Sequence, residues 1–429
     1  MNKEDLKKIK VLYYPYKAVK KVITGIVYYV QYIISLFYIS KNTKRVKKKI
    51  ANGDVLNVVF IIQYIPGWNK LEPIYKRMLA DDRFNPIIVC VPLNIQNHIL
   101  MDDNGNDTYQ YFIEHGYKAI DALLDDGSWF DLNKLEPDYL FHSRPYNAFM
   151  PRIYTSSKIV KYALICNVIY GPCFTRNGLD VTLNRDYFKD VYCYFAFDPS
   201  ELDYYVSRFW MGIKINIQKC APYGAIGLEQ ISAVETDNHI PRYRKTVLWT
   251  PRWSTDPYVG GSNFFNYKDT IVRLADKYKN ILFIIRPHPL MFGNFMKTGE
   301  MTESEAAQFR MWCNNTENVI LDEEKEYSDS FRKSDFLIAD VSGLLPEYYV
   351  TKKGILYCHS TAKFEYTDYA IEFISTCYEV RNIKDLEQLF LLLINNNDYM
   401  LDKRVEFINK YHHDIDKNSQ KILEYLSKI

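Results

Sequence analysis

None of the eight cysteines of this 429-residue chain, Cys90, Cys166, Cys173, Cys193, Cys220, Cys313, Cys358 and Cys377, belongs to a C-x-x-C pair. Most stand in apolar, strand-like stretches, which reads as buried thiols kept reduced and argues against zinc, even at Cys358-His359. No acidic pair with ligand spacing follows a strand-like run, so nothing demands a metal, although Mg²⁺ could assist a phosphate reaction. Neither an internal repeat nor a low-complexity tract is present. Basic charge is scarce beyond the N-terminus: residues 1–50 hold thirteen Lys or Arg against two acids, and the rest hold 41 against 50. Backbone binding to nucleic acid needs a basic stripe on the folded surface, so nucleic acid is excluded as a partner. With 48% hydrophobic and 25% charged residues, the chain is globular, and its length suits two domains plus an extension.

The N-terminus has what the remainder lacks. Nineteen uncharged residues, Val22 to Ser40, lie between Lys17, Lys20 and Lys21 on one side and Lys44, Arg45, Lys47, Lys48 and Lys49 on the other. Length permits a spanning helix, but basic clusters on both flanks conflict with the positive-inside rule. The run is also too long for a signal peptide and lacks a small-x-small cleavage site. Residues 1–50 are therefore expected to form a basic amphipathic helix on an anionic inner leaflet, with Tyr28, Tyr29, Tyr32 and Tyr38 at the headgroup boundary. The alternative is a helix packed on the first lobe or on a partner subunit.

From residue 54 short apolar runs alternate with amphipathic helices, the pattern of parallel sheets covered on both faces. The expectation is an α/β chain of two Rossmann-like lobes: 51–220, a linker at 221–245, 246–382, and helices over 383–429 capping the cleft. First-lobe strands are predicted at 55–63, 87–91, 139–142, 166–170 and 191–197, and second-lobe strands at 247–250, 281–285, 318–321, 335–339 and 354–358. Open sheets of this kind bind ligands at the strand C-terminal ends.

Three second-lobe loops carry polar residues directly after strands: Thr250-Pro251-Arg252-Trp253-Ser254, Arg286-Pro287-His288-Pro289, and Asp340-Val341-Ser342-Gly343 running into Glu347. Breaking a pyrophosphate requires neutralising a leaving nucleotide phosphate, which cations and a helix N-terminus can do without a metal. Arg252, Ser254, Arg286, His288, Asp340, Ser342 and Gly343 form the candidate donor site, and Glu347 could accept from ribose hydroxyls. Each has a plainer reading as well, Asp340 and Ser342 as helix caps and Glu347 as a solvated face.

At these residues the chain resembles the CDP-glycerol glycerophosphotransferase family of teichoic-acid and capsule polymer synthesis. The resemblance rests on Arg286-Pro287-His288-Pro289, on Asp340-Val341-Ser342-Gly343 with Glu347-Tyr348-Tyr349 and Thr351, and more weakly on Thr250 to Ser254 and Ser143-Arg144-Pro145-Tyr146. It implies a GT-B fold, a CDP-glycerol or CDP-ribitol donor, CMP as leaving group, a lipid-linked or polymer hydroxyl as acceptor, and peripheral attachment to the cytoplasmic membrane face. It implies too that His288 contacts the donor phosphates with Arg286 behind it, while Ser342 and Glu347 hold phosphate and ribose.

One departure matters. Where the family has a first-lobe His-Gly pair, its His taken as general base, this chain has Tyr170-Gly171-Pro172, and a phenol is a poor base at neutral pH. His142 is the nearest replacement by topology, or an ordinary strand-end residue; Arg144, Tyr146 and Tyr170 complete the candidate acceptor lobe. The competing readings are a UDP-sugar-dependent GT-B glycosyltransferase or epimerase, and a catalytically silent subunit of a polymer-synthesis complex. A homo-oligomer is compatible with all three.

Overall fold

A computed structural model describes residues 10–63, 65–95, 98–100, 106–169, 171–232, 242–256, 258, 260–324, 326–360 and 362–429. Parallel strands covered on both faces must be apolar along nearly their whole length, and runs such as Leu56–Ile62 and Ile281–Ile285 are of that kind. The first-lobe sheet contains β1 (Leu56–Ile62), β2 (Phe84–Cys90), β3 (Ala119–Asp121), β4 (Tyr139–His142), β5 (Leu164–Val168), β6 (Val191–Phe195) and β7 (Lys219–Ala221), in the order β3-β2-β1-β4-β5-β6-β7. The second contains β8 (Lys245–Thr250), β9 (Ile281–Ile285), β10 (Val319–Leu321), β11 (Phe336–Ala339), β12 (Gly354–Cys358) and β13 (Tyr378–Val380), in the order β10-β9-β8-β11-β12-β13.

All pairings within these two sheets are parallel; Val58 stands opposite Tyr139 and Val247 opposite Phe336. The chain reverses its direction of growth at β1/β4 and again at β8/β11, so each sheet has a switch point where loops diverge and leave a crevice. Two Rossmann-like lobes with these crevices facing each other make the GT-B arrangement that the sequence predicts.

The N-terminal helix is one continuous element, α1 (Lys10–Asn52). One stripe of it, at three- and four-residue spacing, is buried on the first lobe: Tyr32, Leu36, Ile39 and Val46, with Ser35 and Asn42 between them. Polar anchors fix the register. Arg45 and Lys49 reach the buried Asp138 at 2.7 and 2.8 Å, Asn42 donates to the Val160 carbonyl at 2.8 Å, and Ser35 donates to the buried Asp190. Tyr32, expected among the headgroup tyrosines, is instead buried and donates to the Phe209 carbonyl. On the opposite face Val19, Val22, Ile26, Val30, Ile33 and Phe37 are exposed, Phe37 to 65%. The helix is therefore packed on the first lobe by one face, as the alternative reading expected, and leaves the other face apolar and open.

Between the lobes, part of the predicted linker is helical. Ala221 closes β7, Gly227–Ser232 is a short helix, and β8 opens at Lys245. The C-terminal helices do not cap the cleft, since no residue of 383–429 lines it. The first of them, α2 (Ile383–Ile394), buries Leu386, Phe390, Leu393 and Ile394 in the second-lobe core. The next two, α3 (Leu401–His412) and α4 (Asn418–Leu426), cross back: Tyr139 donates to the Leu426 carbonyl at 2.7 Å and Arg77 to the Asp416 carbonyl at 3.1 Å. Their apolar residues Phe407, Ile408, Ile422, Leu423 and Leu426 enter a core that both lobes share, with Phe407 packed on Tyr349 and Phe373 of the second lobe, so the tail ties the lobes together from outside the cleft.

Candidate active site

The cleft between the lobes has a volume of about 260 Å³, and its walls come from strand C-terminal ends. Pro66 and Lys70 follow β1 and Gly171 follows β5. From the second lobe come Thr250 and Arg252 after β8, Arg286 and His288 after β9, Tyr327 after β10, and Ser342, Gly343 and Glu347 after β11. Six of the predicted donor-site residues, Arg252, Arg286, His288, Ser342, Gly343 and Glu347, are thus brought to one cavity.

Each is held by its own loop. The β9 loop leaves the sheet through Pro287 and Pro289, which offer no N–H to a neighbouring strand and set the chain outward. Arg286 pairs with Asp322 at 2.7 Å and donates to the Glu324 carbonyl at 2.6 Å, which ties this loop to the one after β10. The N–H of His288 donates to the Pro251 carbonyl at 3.1 Å, and its Nδ1 accepts from the Leu290 N–H at 3.1 Å. An accepting Nδ1 requires the proton on Nε2, so a neutral His288 offers a ligand a donor rather than a base. Burial, and then the Arg252 charge, push its pKa down to about 4, so the ring is neutral at pH 7.

Two predicted donor-site residues do not reach the cleft. Asp340 is buried behind it, where Oδ2 accepts from the Arg252 N–H at 2.9 Å and Oδ1 from the Asn263 N–H and side-chain amide at 3.2 and 2.9 Å. Burial raises its carboxyl to about pKa 6, against the pull of these donors. Ser254 is buried as well, accepting from the Asp256 N–H at 3.2 Å, and so shapes the same loop from within. Ser342 lines the cleft, and its Oγ accepts from the Leu344 N–H at 3.2 Å at the start of the short helix Leu344–Tyr349, whose N-cap is Gly343.

Glu347 meets an unexpected partner. Lys70 of the first lobe places Nζ 2.6 Å from Glu347 Oε1, and both side chains are buried. Tyr327 donates to the other carboxylate oxygen while accepting from Lys70 at 2.9 Å and from Asn69, so its hydroxyl is saturated. Gly227 leaves the space that Lys70 needs: a Cβ there would lie 2.6 Å from Lys70 Cδ. Lys70, Tyr327 and Thr250 were missed as site residues. The pattern of 70–81 predicts a helix, and a cation at its start, where the macrodipole disfavours it, was the signal for Lys70. Thr250 Oγ1, buried on the wall, has no hydrogen-bond partner among the described residues.

The acceptor-lobe candidates fare differently. His142 is buried, Nδ1 accepting from the Tyr187 hydroxyl at 2.9 Å and Nε2 donating to the Tyr154 carbonyl at 3.1 Å. Burial lowers its pKa to about 4. With both nitrogens engaged and no place on the cleft wall, His142 is a strand-end structural residue and not the base. Arg144 stacks over Phe149, 4.7 Å from the ring centroid, and over Tyr146 at 5.8 Å, and neither Arg144 nor Tyr146 lines the cleft. Tyr170 lies outside the described residues. Among the described residues no group of three or more His, Cys, Asp or Glu is arranged to hold a metal, and the carboxylates on the cleft wall are Glu323, Glu324 and Glu347.

Residues 226–428, just under half of the chain, match the family described as CDP-Glycerol:Poly(glycerophosphate) glycerophosphotransferase. The matched stretch carries every second-lobe residue of the cleft. No curated protein sequence matches the chain. Among solved structures, the wall teichoic acid polymerase TagF is similar over 93% of this chain and 97% of its own, with a TM-score of 0.52 at 14% identity. S. aureus MnaA with UDP gives 0.56 at 14% identity over 87% of this chain and 98% of its own. The UDP-GlcNAc 2-epimerase of Neisseria meningitidis bound to UDP-GlcNAc gives 0.56 at 13% identity over 87% and 100%. Identities this low establish the shared fold alone; the sequence match singles out the glycerophosphotransferases.

Proposed function

From a chain that is CDP-glycerol glycerophosphotransferase-like over its second lobe, we propose an enzyme that moves glycerol phosphate or ribitol phosphate from a CDP-activated donor to a hydroxyl of a lipid-linked or polymer acceptor, as in teichoic-acid-like or capsule synthesis. The observation that carries this reading is the convergence of Arg252, Arg286, His288 and Ser342 on one interlobe cleft within the matched stretch. The acceptor oxygen attacks the donor β-phosphorus, the bond from that phosphorus to the bridging oxygen breaks, and CMP departs with the new negative charge. The two guanidiniums and the Nε2–H of His288 are suited to that charge, in a partly closed site where such donors are worth more than in water. The proton of the acceptor hydroxyl needs a base other than His142.

Glu347 bears on ribose recognition only if Lys70 releases it, so donor binding would exchange an interlobe ion pair for donor contacts. The open apolar face of α1 supports peripheral attachment to the cytoplasmic face of the membrane. That attachment is best tested by Ile26→Ser with Ile33→Ser, because truncating residues 1–50 would also strip the buried Asp138 of its partners.

The test of function is calorimetric titration with CDP-glycerol, CDP-ribitol, CDP and UDP-GlcNAc, with His288→Ala as control. Saturable binding of a cytidine nucleotide that the variant loses is expected. Preference for UDP-GlcNAc would transfer the chain to the UDP-sugar enzymes, and absence of any binding would make it a silent subunit.

A further inference from the structure

At the opposite, amino-terminal ends of the first-lobe strands lies a second hollow, of about 480 Å³, between α1, β6, β7 and α4. It shares no residue with the cleft. Four lysines face it: Lys47 on α1, Lys219 at the start of β7, Lys421 on α4, and Lys428 just beyond. Lys421 is paired with Asp414 at 2.9 Å and Lys428 stands 3.6 Å from Glu424, the one side-chain carboxylate on the lining. Lys47 and Lys219 have no carboxylate at ion-pair distance among the described residues, and Lys219 donates only to the Asn216 amide oxygen. With four lysines against the one carboxylate of Glu424, the lining is cationic.

Burial, followed by the repulsion of Lys47, holds the Lys219 ammonium below the ordinary lysine range. Two like charges turned into one hollow walled by Tyr192, Tyr223 and Tyr425 are an unfavourable arrangement that an anion between them relieves. The surroundings indicate where that anion comes from. The open face of α1 runs through Ile26, Ile33 and Phe37 and continues at the same spacing into the exposed Lys41, Lys44 and Lys48. Lys47 is the next position round the helix, between that face and the hollow. A membrane surface meeting the open face would hold its headgroups at the mouth of the hollow.

We propose that this hollow seats the phosphate of an anionic phospholipid headgroup between Lys47 and Lys219. The lipid as source of the phosphate rests on the membrane reading of α1; the anion site itself does not.

The test uses the full chain and two double variants of equal charge, Lys47→Gln/Lys219→Gln in the hollow and Lys44→Gln/Lys48→Gln on the open face, with thermal melting by circular dichroism to verify folding. Calorimetry with a short-chain phosphatidylglycerol below its micelle concentration presents the headgroup without a charged surface. Saturable binding is expected, weakened by about tenfold or more in the hollow variant and unchanged in the open-face variant. Equal weakening by the two variants, or no binding by the wild type, overturns the site. Binding of sn-glycerol 3-phosphate as tight as that of the lipid, lost in the hollow variant, overturns the lipid and leaves a free phosphate ester. Flotation with phosphatidylcholine vesicles, with and without phosphatidylglycerol, is read separately: a wild type that ignores both yet titrates with the short-chain lipid refutes the membrane reading while the site stands.

Discussion

Both lobes end a central strand in polar residues, and only the second turns them toward the cleft. After β9, Pro287 and Pro289 carry the chain away from the sheet and leave Arg286 and His288 on the cavity wall. After β4, His142 and Ser143 fold inward: the histidine spans Tyr187 and Tyr154, and the Ser143 hydroxyl accepts from the Gln63 N–H at 3.1 Å. The same residue type at the end of a parallel strand is thus a ligand-facing donor in one lobe and an internal strut in the other. A strand end therefore does not by itself make a site residue, and the loop that follows decides whether it becomes one.

The largest expected effect tests where the first lobe does contribute. Removing one member of a buried ion pair strands the other, so Lys70→Met is expected to destabilise the protein by about 3–5 kcal/mol in urea titrations. Lys70→Met with Glu347→Gln should regain most of that. A single variant costing under about 1 kcal/mol would mean that the lobes do not meet through this pair in solution.

Next comes the contrast between the two histidines. His288→Ala should lower kcat by about 10²- to 10³-fold, as loss of one preorganised donor does, with an unchanged melting temperature. His142→Ala should do the reverse, costing about 1–3 kcal/mol of stability while turnover per folded molecule stays the same. If His142→Ala loses activity without losing stability, the comparison fails.

Acidity sets the buried His142 against the buried Asp340. The pKa of His142 is about 4 in the fold, below the usual 6.5, so unfolding takes up a proton as the pH drops. Its share of stability is present above pH 6.5 and is lost as the pH falls toward 4; His142→Gln should flatten this limb of a melting-temperature profile. Asp340 runs the other way, its raised pKa of about 6 favouring the fold at lower pH, with that share lost as the pH rises through 6. The smallest expected effect is therefore that of Asp340→Asn, about 1 kcal/mol at pH 7, with a raised donor KM because the Arg252 loop is held less firmly. Donor KM across Asp340→Asn measures how much the buried clamp matters to the site.

Much of this was legible beforehand. β4, β9 and β12 have the predicted bounds because uninterrupted apolar runs between polar breaks admit few alternatives. Of the four three-residue edge strands β10 was read while β3, β7 and β13 were missed, as was the helix Met291–Thr298, because runs so short carry little periodicity. Within the site, Arg252, Arg286, His288, Ser342, Gly343 and Glu347 were found because they cluster after strands. Ser254 and Asp340 come from the same loops, yet they serve the loops themselves.

By itself, then, the sequence determined the alternation of strand and helix, the two lobes, the second-lobe loops that carry cations, and the amphipathic N-terminal helix. These follow from local pattern, since burial on both faces of a sheet and turn chemistry leave their marks within a few residues of chain. Only the tertiary structure decided that Lys70 meets Glu347 across 277 positions, that the last C-terminal helix returns to the first lobe and none caps the cleft, and that Lys47 and Lys219 share a hollow. Those contacts depend on how two sheets are set against each other, and the pairing of a charge with a distant partner leaves no periodic trace in the chain that forms it.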